Sequence, residues 1–365
     1  MTKLRHPPRT PNPGRRAFLG FTAAGIAVPL GAMAPASWRV GGGLPDTFGR
    51  SICRAAADTN VVAPGASPRD VKLCWNINAV CHSGIAVAEQ LGIFARHNLK
   101  VERINFSGAT DQLLELIASG KADGGVGMAL GWLKPLEQGF DVKLTTALHG
   151  GCTRLLTNEK SGITSVAGLK GKTVGTFSMA SPDRNFVSIA AAKIGLDPLR
   201  DIEWRVYPAD LLSVALQKGE IQAFSSGDPI AWVVRDRDHL VEVTNNLAGD
   251  FANRSCCVMG IRAGLVRDDR PVAAALTSAI LEAQQWVAEN PDRAAEVFAA
   301  NNKGASAEQV AAMLRSHTHQ HHPAGGDLKQ EIAVYAQELK QAAVFRQTTD
   351  PAQFADRVCV DVLAT

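Results

Sequence analysis

From Val71 onward, short runs of β-branched and apolar residues alternate with amphipathic stretches of ten to fifteen residues. That rhythm constrains the fold more than any other feature. An antiparallel hairpin needs only a few connecting residues, whereas a parallel crossover needs a dozen or so and usually a helix. The chain is therefore read as α/β. Strands are expected over 72–77, 101–106, 124–127 and 142–148, with helices over 84–97, 109–119 and 129–138. A second set begins near Leu169, with strands over 173–177, 203–207, 222–225 and 240–243 and helices over 183–194, 210–218 and 230–235. One more apolar strand, 255–261, precedes largely helical residues 271–345. The order is lobe, lobe, and a return to the first.

A weak internal repeat points the same way. Residues 111–123 align without gaps on residues 210–222. Each copy opens on an Asp suited to cap a helix, carries apolar residues on one face, and stops at a glycine, Gly120 or Gly219, suited to a left-handed cap.

Charge is distributed unevenly. The chain has 38 Lys plus Arg against 35 Asp plus Glu, and Lys3, Arg5, Arg9, Arg15 and Arg16 fall in the first 36 residues with no acid among them. Within the uncharged run 17–36 the apolar core 17–28 is diluted by Gly20, Thr22 and Gly25 and followed by Pro29 and Gly31, too short and too weakly apolar for a membrane span. Residues 1–36 are expected to be a signal peptide, cleaved after Ala34-Pro35-Ala36. Arg15-Arg16 before Ala17-Phe18-Leu19 resembles a twin-arginine signal, which implies the twin-arginine export machinery as a partner and a periplasmic location. An ordinary secretory signal would reach the same compartment. The remainder is nearly neutral with interspersed signs, which leaves no basic stripe for nucleic acid or an anionic membrane surface. Residues 37–69, rich in Gly, Pro, Ala and Ser, read as a flexible N-terminal arm.

Three motifs in fixed order resemble a known family: the stretch from His82 through Gly92-Ile93-Phe94 to Glu102, then Ile117-Ala-Ser-Gly-Lys-Ala-Asp-Gly-Gly125, then Leu169-Lys-Gly-Lys-Thr-Val-Gly175. Together they are similar to the nitrate/sulfonate/taurine/bicarbonate (NMT1-like) class of ABC-transporter substrate-binding proteins, over about residues 71–298. The resemblance implies a type II periplasmic binding protein fold, two Rossmann-like lobes joined by two crossing strands near 151–157 and 253–261. On that reading 70–153 plus 254–345 form lobe 1, 154–253 form lobe 2, and 346–365 are a C-terminal tail. It also implies a monomer that captures a small anion or zwitterion, such as nitrate, bicarbonate, a sulfonate or taurine. The captured solute would pass to an ABC permease and its ATPase in the inner membrane, with no cofactor and no catalysis.

In α/β sheets of this kind ligands sit beyond the carboxyl ends of the strands, where helix N-termini offer unpaired N–H groups. This singles out the loops 79–83, 128–131, 149–152, 178–183 and 226–229, with His82, Ser83, Met128, Ala129, His149, Ser178, Ser181 and Asp228 as candidate ligand contacts. These loops are short of cations, so an oxyanion would rely on N–H groups, hydroxyls and imidazoles. Asp228, before Pro229, either accepts a hydrogen bond from an amine or ring N–H of the ligand or caps the following helix. The first of these suits an aminosulfonate or a nitrogen heterocycle such as a thiamine pyrimidine precursor.

Of the seven cysteines, Cys152 is a candidate disulfide partner for Cys256 or Cys257 across the crossing strands; buried free thiols are the other reading. His82 next to Cys81 and His149 near Cys152 form no CxxC or HExxH spacing, so no metal is expected in the cleft. The tract 317–322, with four histidines, reads as an exposed loop. A related branch of the fold looks like pyrimidine synthases that consume their own histidine, but their longer cysteine motif is missing here. The chain is not expected to be an enzyme.

Overall fold

A computed structural model of the protein describes residues 67–106, 110–302, 304–319 and 321–364. The signal segment, the arm as far as residue 66 and Cys53 lie outside the described residues.

Ten strands form two sheets. The first holds β1 (Arg69–Trp75), β2 (Leu99–Asn105), β3 (Gly124–Met128) and β4 (Val142–Ala147). The second holds β5 (Thr153–Thr157), β6 (Lys172–Thr176), β7 (Ile202–Val206), β8 (Ala223–Gly227) and β9 (Val241–Asn245). The chain then returns to the first sheet as β10 (Cys257–Arg262), giving the orders β2-β1-β3-β10-β4 and β7-β6-β8-β5-β9. Strands joined through helices pair in parallel, β1 with β2 and β3, β6 with β7 and β8. Each sheet takes one strand of opposite sense directly after a lobe change: β5 runs antiparallel to β8 and β9, and β10 antiparallel to β3 and β4.

The helices are α1 (Ser83–Gln90), α2 (Ile93–Arg96), α3 (Thr110–Ala118), α4 (Ala129–Glu137), α5 (Pro182–Lys193), α6 (Leu212–Gln217), α7 (Ile230–Arg237), α8 (Ala263–Asp268), α9 (Arg270–Glu289), α10 (Pro291–Ala299), α11 (Ala307–Ser316), α12 (Gly325–Gln341) and α13 (Pro351–Val358). The helix expected over 84–97 is two helices. Gly92 sits between them at φ 65°, a left-handed turn that only glycine enters without strain. The two copies of the repeat are α3 and α6, and Gly120 and Gly219 both take φ 76° behind them.

Strand alternation sends the two faces of the first sheet into different cores. Val71, Leu73 and Trp75 of β1 pack with Met259 and Ile261 of β10 and with α1, α9, α10 and α11. Cys74 and Val258 point the other way, toward α3, α4, α12 and α13. That second core continues into the other lobe, taking in Leu155, Val174 and Phe186. Residues 346–365, set apart above as a tail, include α13, whose Phe354 and Val358 are buried in the same core.

The two lobe changes run side by side. His149 O accepts from the N–H groups of Cys256 (2.7 Å) and Cys257 (3.2 Å), and Leu148 N–H donates to Cys257 O at 2.8 Å. The histidine tract is not the exposed loop expected. Gly150 and Thr318 exchange backbone hydrogen bonds at 3.0 and 3.2 Å, which lays the tract over the first crossover and buries His317. Among the described residues no helix is long and apolar enough to cross a membrane.

Candidate functional site

A cavity of about 410 Å³ opens where the carboxyl ends of the two sheets face each other. From the first lobe it takes Asn76, Asn78, Ala79 and Cys81 after β1, Met128 at the end of β3, and Asn302 and Gly304 after α10. From the second it takes Phe177, Pro182 and Asp183 after β6, Ala209 and Asp210 after β7, and Ser226 to Ile230, Val233, Val234 and Arg237 around β8 and α7. Cys152, on the first crossover, closes the floor. The lining comes from both lobes because parallel strands end at the same edge of each sheet, where the following loops and helix N-termini gather.

Asp183 is the most unusual polar group in the wall. Ser181 caps α5 by accepting from Arg184 N–H at 3.3 Å, and Pro182 follows it, which places Asp183 in the first turn. The residue is fully buried, with Oδ2 accepting from Ser225 Oγ at 3.2 Å while buried Oδ1 has no hydrogen-bond partner. Burial pushes its carboxyl up to about 7, against the pull of its own backbone N–H and the hydroxyls of Ser225, Ser181 and Thr176. Near neutral pH Asp183 can accept or donate a hydrogen bond.

Asp228 does two structural jobs. Its Oδ1 accepts from Trp232 N–H at 3.1 Å, capping α7, and its two oxygens accept from Arg154 Nε at 3.0 and 3.2 Å and from Arg154 Nη2 at 3.0 Å. Arg154 also donates to Glu242 at 2.6 Å and lies over the Trp232 ring at 4.6 Å. Its guanidinium is therefore occupied by two carboxylates of its own lobe.

Of the candidate contacts named from the sequence, Met128 and Asp228 line the cavity. His82, Ser83, Ala129, His149 and Ser181 are buried outside its lining, and Ser178 spends its hydroxyl on Ala180 N–H at 3.1 Å. His82 Nδ1 accepts from Asn76 N–H at 3.2 Å and packs edge-on to Trp75. Sequence reasoning missed Arg154, Phe177 and Arg237 and treated Cys81 and Asp183 only as members of cleft loops. A signal existed for Arg154, a lone cation inside the apolar run Thr153–Thr157. The cavity-facing role of Phe177 and Arg237 had none.

Cys152, Cys256 and Cys257, proposed from the sequence as disulfide partners, carry free, buried thiols. They lie together with His149. One ring nitrogen of His149 and the sulfurs of Cys152 and Cys257 are all within 4.8 Å of one another. His149 stacks on His317 with ring centres 4.7 Å apart and planes 8° from parallel. Burial lowers the His149 imidazole to about 4, so the ring is neutral.

Two α/β lobes with twin crossovers and a cleft at the facing sheet edges define the periplasmic binding protein architecture. Residues 65–301 match the NMT1-like family, and the chain belongs to that family. The fold is similar to that of the periplasmic aliphatic sulphonate binding protein SsuA from Escherichia coli, at 17% identity and TM-score 0.66, over 79% of this chain and 92% of that one. The alkanesulfonate-binding protein SsuA from Xanthomonas axonopodis, bound to MOPS, matches at 18% identity and TM-score 0.65, over 79% and 98%. The periplasmic nitrate-binding protein NrtA from Synechocystis PCC 6803 matches at 15% identity and TM-score 0.66, over 81% and 87%. No curated protein matches the chain in sequence.

Proposed function

We propose that this protein is the periplasmic solute-binding component of an ABC importer, exported by the twin-arginine route, and that it captures its solute in the cleft and hands it on unchanged to a membrane permease. The observation that carries this reading is the cavity shared by both lobes at the carboxyl edges of their sheets. A solute touching both walls stabilises the closed arrangement over the open one, and that differential affinity is what drives closure. The volume suits a small organic molecule.

The chemistry of the wall favours one of the two ligand classes considered from the sequence. Met128, Phe177, Pro182, Ile230 and Val233 supply apolar surface, and Asp183 and Asp210 supply carboxyl groups, the Asp228 carboxylate being taken up by Arg154. Among the described lining residues Arg237 is the one Lys or Arg, and its guanidinium donates to Asp238 at 2.6 and 2.8 Å. Such a site suits an apolar ring bearing N–H donors, as in an aminopyrimidine. A compact oxyanion such as nitrate or bicarbonate would meet the acids Asp183 and Asp210 and an Arg237 already paired with Asp238.

A thermal-shift comparison of nitrate, bicarbonate, taurine, an alkanesulfonate and an aminopyrimidine tests this, with mass spectrometry of the recovered ligand. At one hundred times its dissociation constant a true ligand adds about 2.7 kcal/mol. The aminopyrimidine is expected to raise Tm and to be recovered intact. A shift with the anions alone would overturn the heterocycle assignment, and chemical change of the ligand would overturn the binding-protein reading.

A further inference from the structure

The two crossovers hold a cluster that meets the solute cavity only at Cys152. His149 and Cys152 lie on the first, Cys256 and Cys257 on the second, and the backbone bonds from Cys256 and Cys257 to His149 O lock the two segments together. The donor atoms of His149, Cys152 and Cys257 all fall within 4.8 Å of one another, with Cys152 Sγ 3.9 Å from His149 Nδ1. Cys256, next to Cys257 in the chain, is a buried free thiol on the same crossover. Cys152 is held at φ 127°, a backbone region that side chains other than glycine's rarely occupy. Behind the cluster, buried His149 Nε2 and both ring nitrogens of buried His317 have no hydrogen-bond partner.

We infer that the crossover is a metal site in which His149, Cys152, Cys256 and Cys257 take a thiophilic divalent cation, Zn(II) in the first place. With zinc–sulfur bonds near 2.3 Å and zinc–nitrogen bonds near 2.0 Å, tetrahedral donors stand roughly 3.5–3.8 Å apart. The three mutually close donors need to draw in by no more than about 1.3 Å per pair to reach that spacing. Three thiolates and one imidazole are a common closed set for structural zinc. Cysteine ligates as the thiolate, so uptake of the cation releases protons to solvent. The ion would join residues 149–152 to residues 256–257 and stiffen the only two connections between the sheets among the described residues. This holds whatever solute the cleft takes.

The test uses the reduced, chelator-stripped full chain, titrated with Zn(II) against a chromophoric chelator without oxygen. One equivalent is expected to bind and to raise Tm. The double variant Cys152→Ser/Cys257→Ser should bind more weakly by a factor beyond the roughly 10–100 that loss of an outer-shell partner costs. His321→Ala, on the exposed part of the histidine tract, should bind as the wild type does. Co(II) in the wild-type protein needs no variant and should show sulfur-to-cobalt charge transfer with tetrahedral d–d bands. The assignment fails if protein with all thiols reduced takes up no Zn(II), if the Co(II) spectrum lacks sulfur character, or if the exported protein carries a Cys152–Cys257 disulfide.

Discussion

At the scale of single residues, the acids of the cleft divide by what surrounds them. Asp228 sits against Arg154 with both side chains almost fully buried, 0% and 4% exposed. Removing one partner of such a pair strands a charge in the interior, which typically costs about 3–5 kcal/mol. Asp228→Ala should therefore lower the urea midpoint by that order, and an unchanged midpoint would show the pair is not coupled as drawn. From the sequence alone, Asp228 would have been mutated as a ligand probe, and a loss of binding would have been misread. Asp183 has no such counter-charge. Asp210, Asp228 and Arg237 also face the cavity, but Ser181, Ser225 and Thr176 are the groups on its carboxyl. In the unfolded chain the group ionises near 3.8, while in the fold it keeps its proton to about 7. The folded state thus holds the extra proton between those values and loses stability as pH rises through them. Asp183→Asn cannot ionise, so it should gain on the wild type by on the order of 2–4 kcal/mol between pH 4 and pH 8. Parallel stability curves for the two proteins would contradict this.

At the scale of elements, the sequence was read well wherever one local rule decides and poorly where two distant segments decide together. Gly120 and Gly219 end their helices because the chain must turn left-handed there, and a repeat of two helix–glycine–strand units is enough to see it. The strand at 124–128 was also visible, but the reason for its glycines was not. A Cβ at Gly127 would stand 2.1 Å from the Trp132 ring, and one at Gly260 would stand 2.7 Å from the same indole. The Trp132 ring packs over the glycines of the paired strands β3 and β10, whose partnership spans more than a hundred residues of sequence. Gly127→Ala should cost at least about 3 kcal/mol, since the fully buried indole has no free space to move into. A normal melting temperature would show that the indole can relocate. The run 153–157, read as part of a crossing strand, is the strand β5, and its antiparallel fit between β8 and β9 follows from the direction in which the chain enters the second sheet.

At the scale of the whole molecule, the two lobes share one apolar core. Leu144 and Val258 of the first sheet, Leu155 and Val174 of the second, and Phe186 of α5 belong to a single buried cluster, and Asn185 Nδ2 donates across the lobes to Leu130 O at 2.9 Å. The lobes should therefore unfold together. Fluorescence of Trp132 in one lobe and Trp204 in the other, each as a sole tryptophan, is expected to give coincident urea transitions, and separated midpoints would show two independent units. What the amino-acid sequence determined by itself was the class of architecture, the order of the lobes and the sheet edge at which the cavity opens. Each of these follows from local periodicity, helix caps and the length of parallel crossovers. What only the tertiary structure decided was which side chains face the cleft. His82 and His149 turned inward, Asp228 was claimed by Arg154, and four residues from two crossovers were drawn into one cluster. Burial and pairing depend on neighbours a hundred or more residues away, and no local pattern encodes the direction in which a loop side chain points.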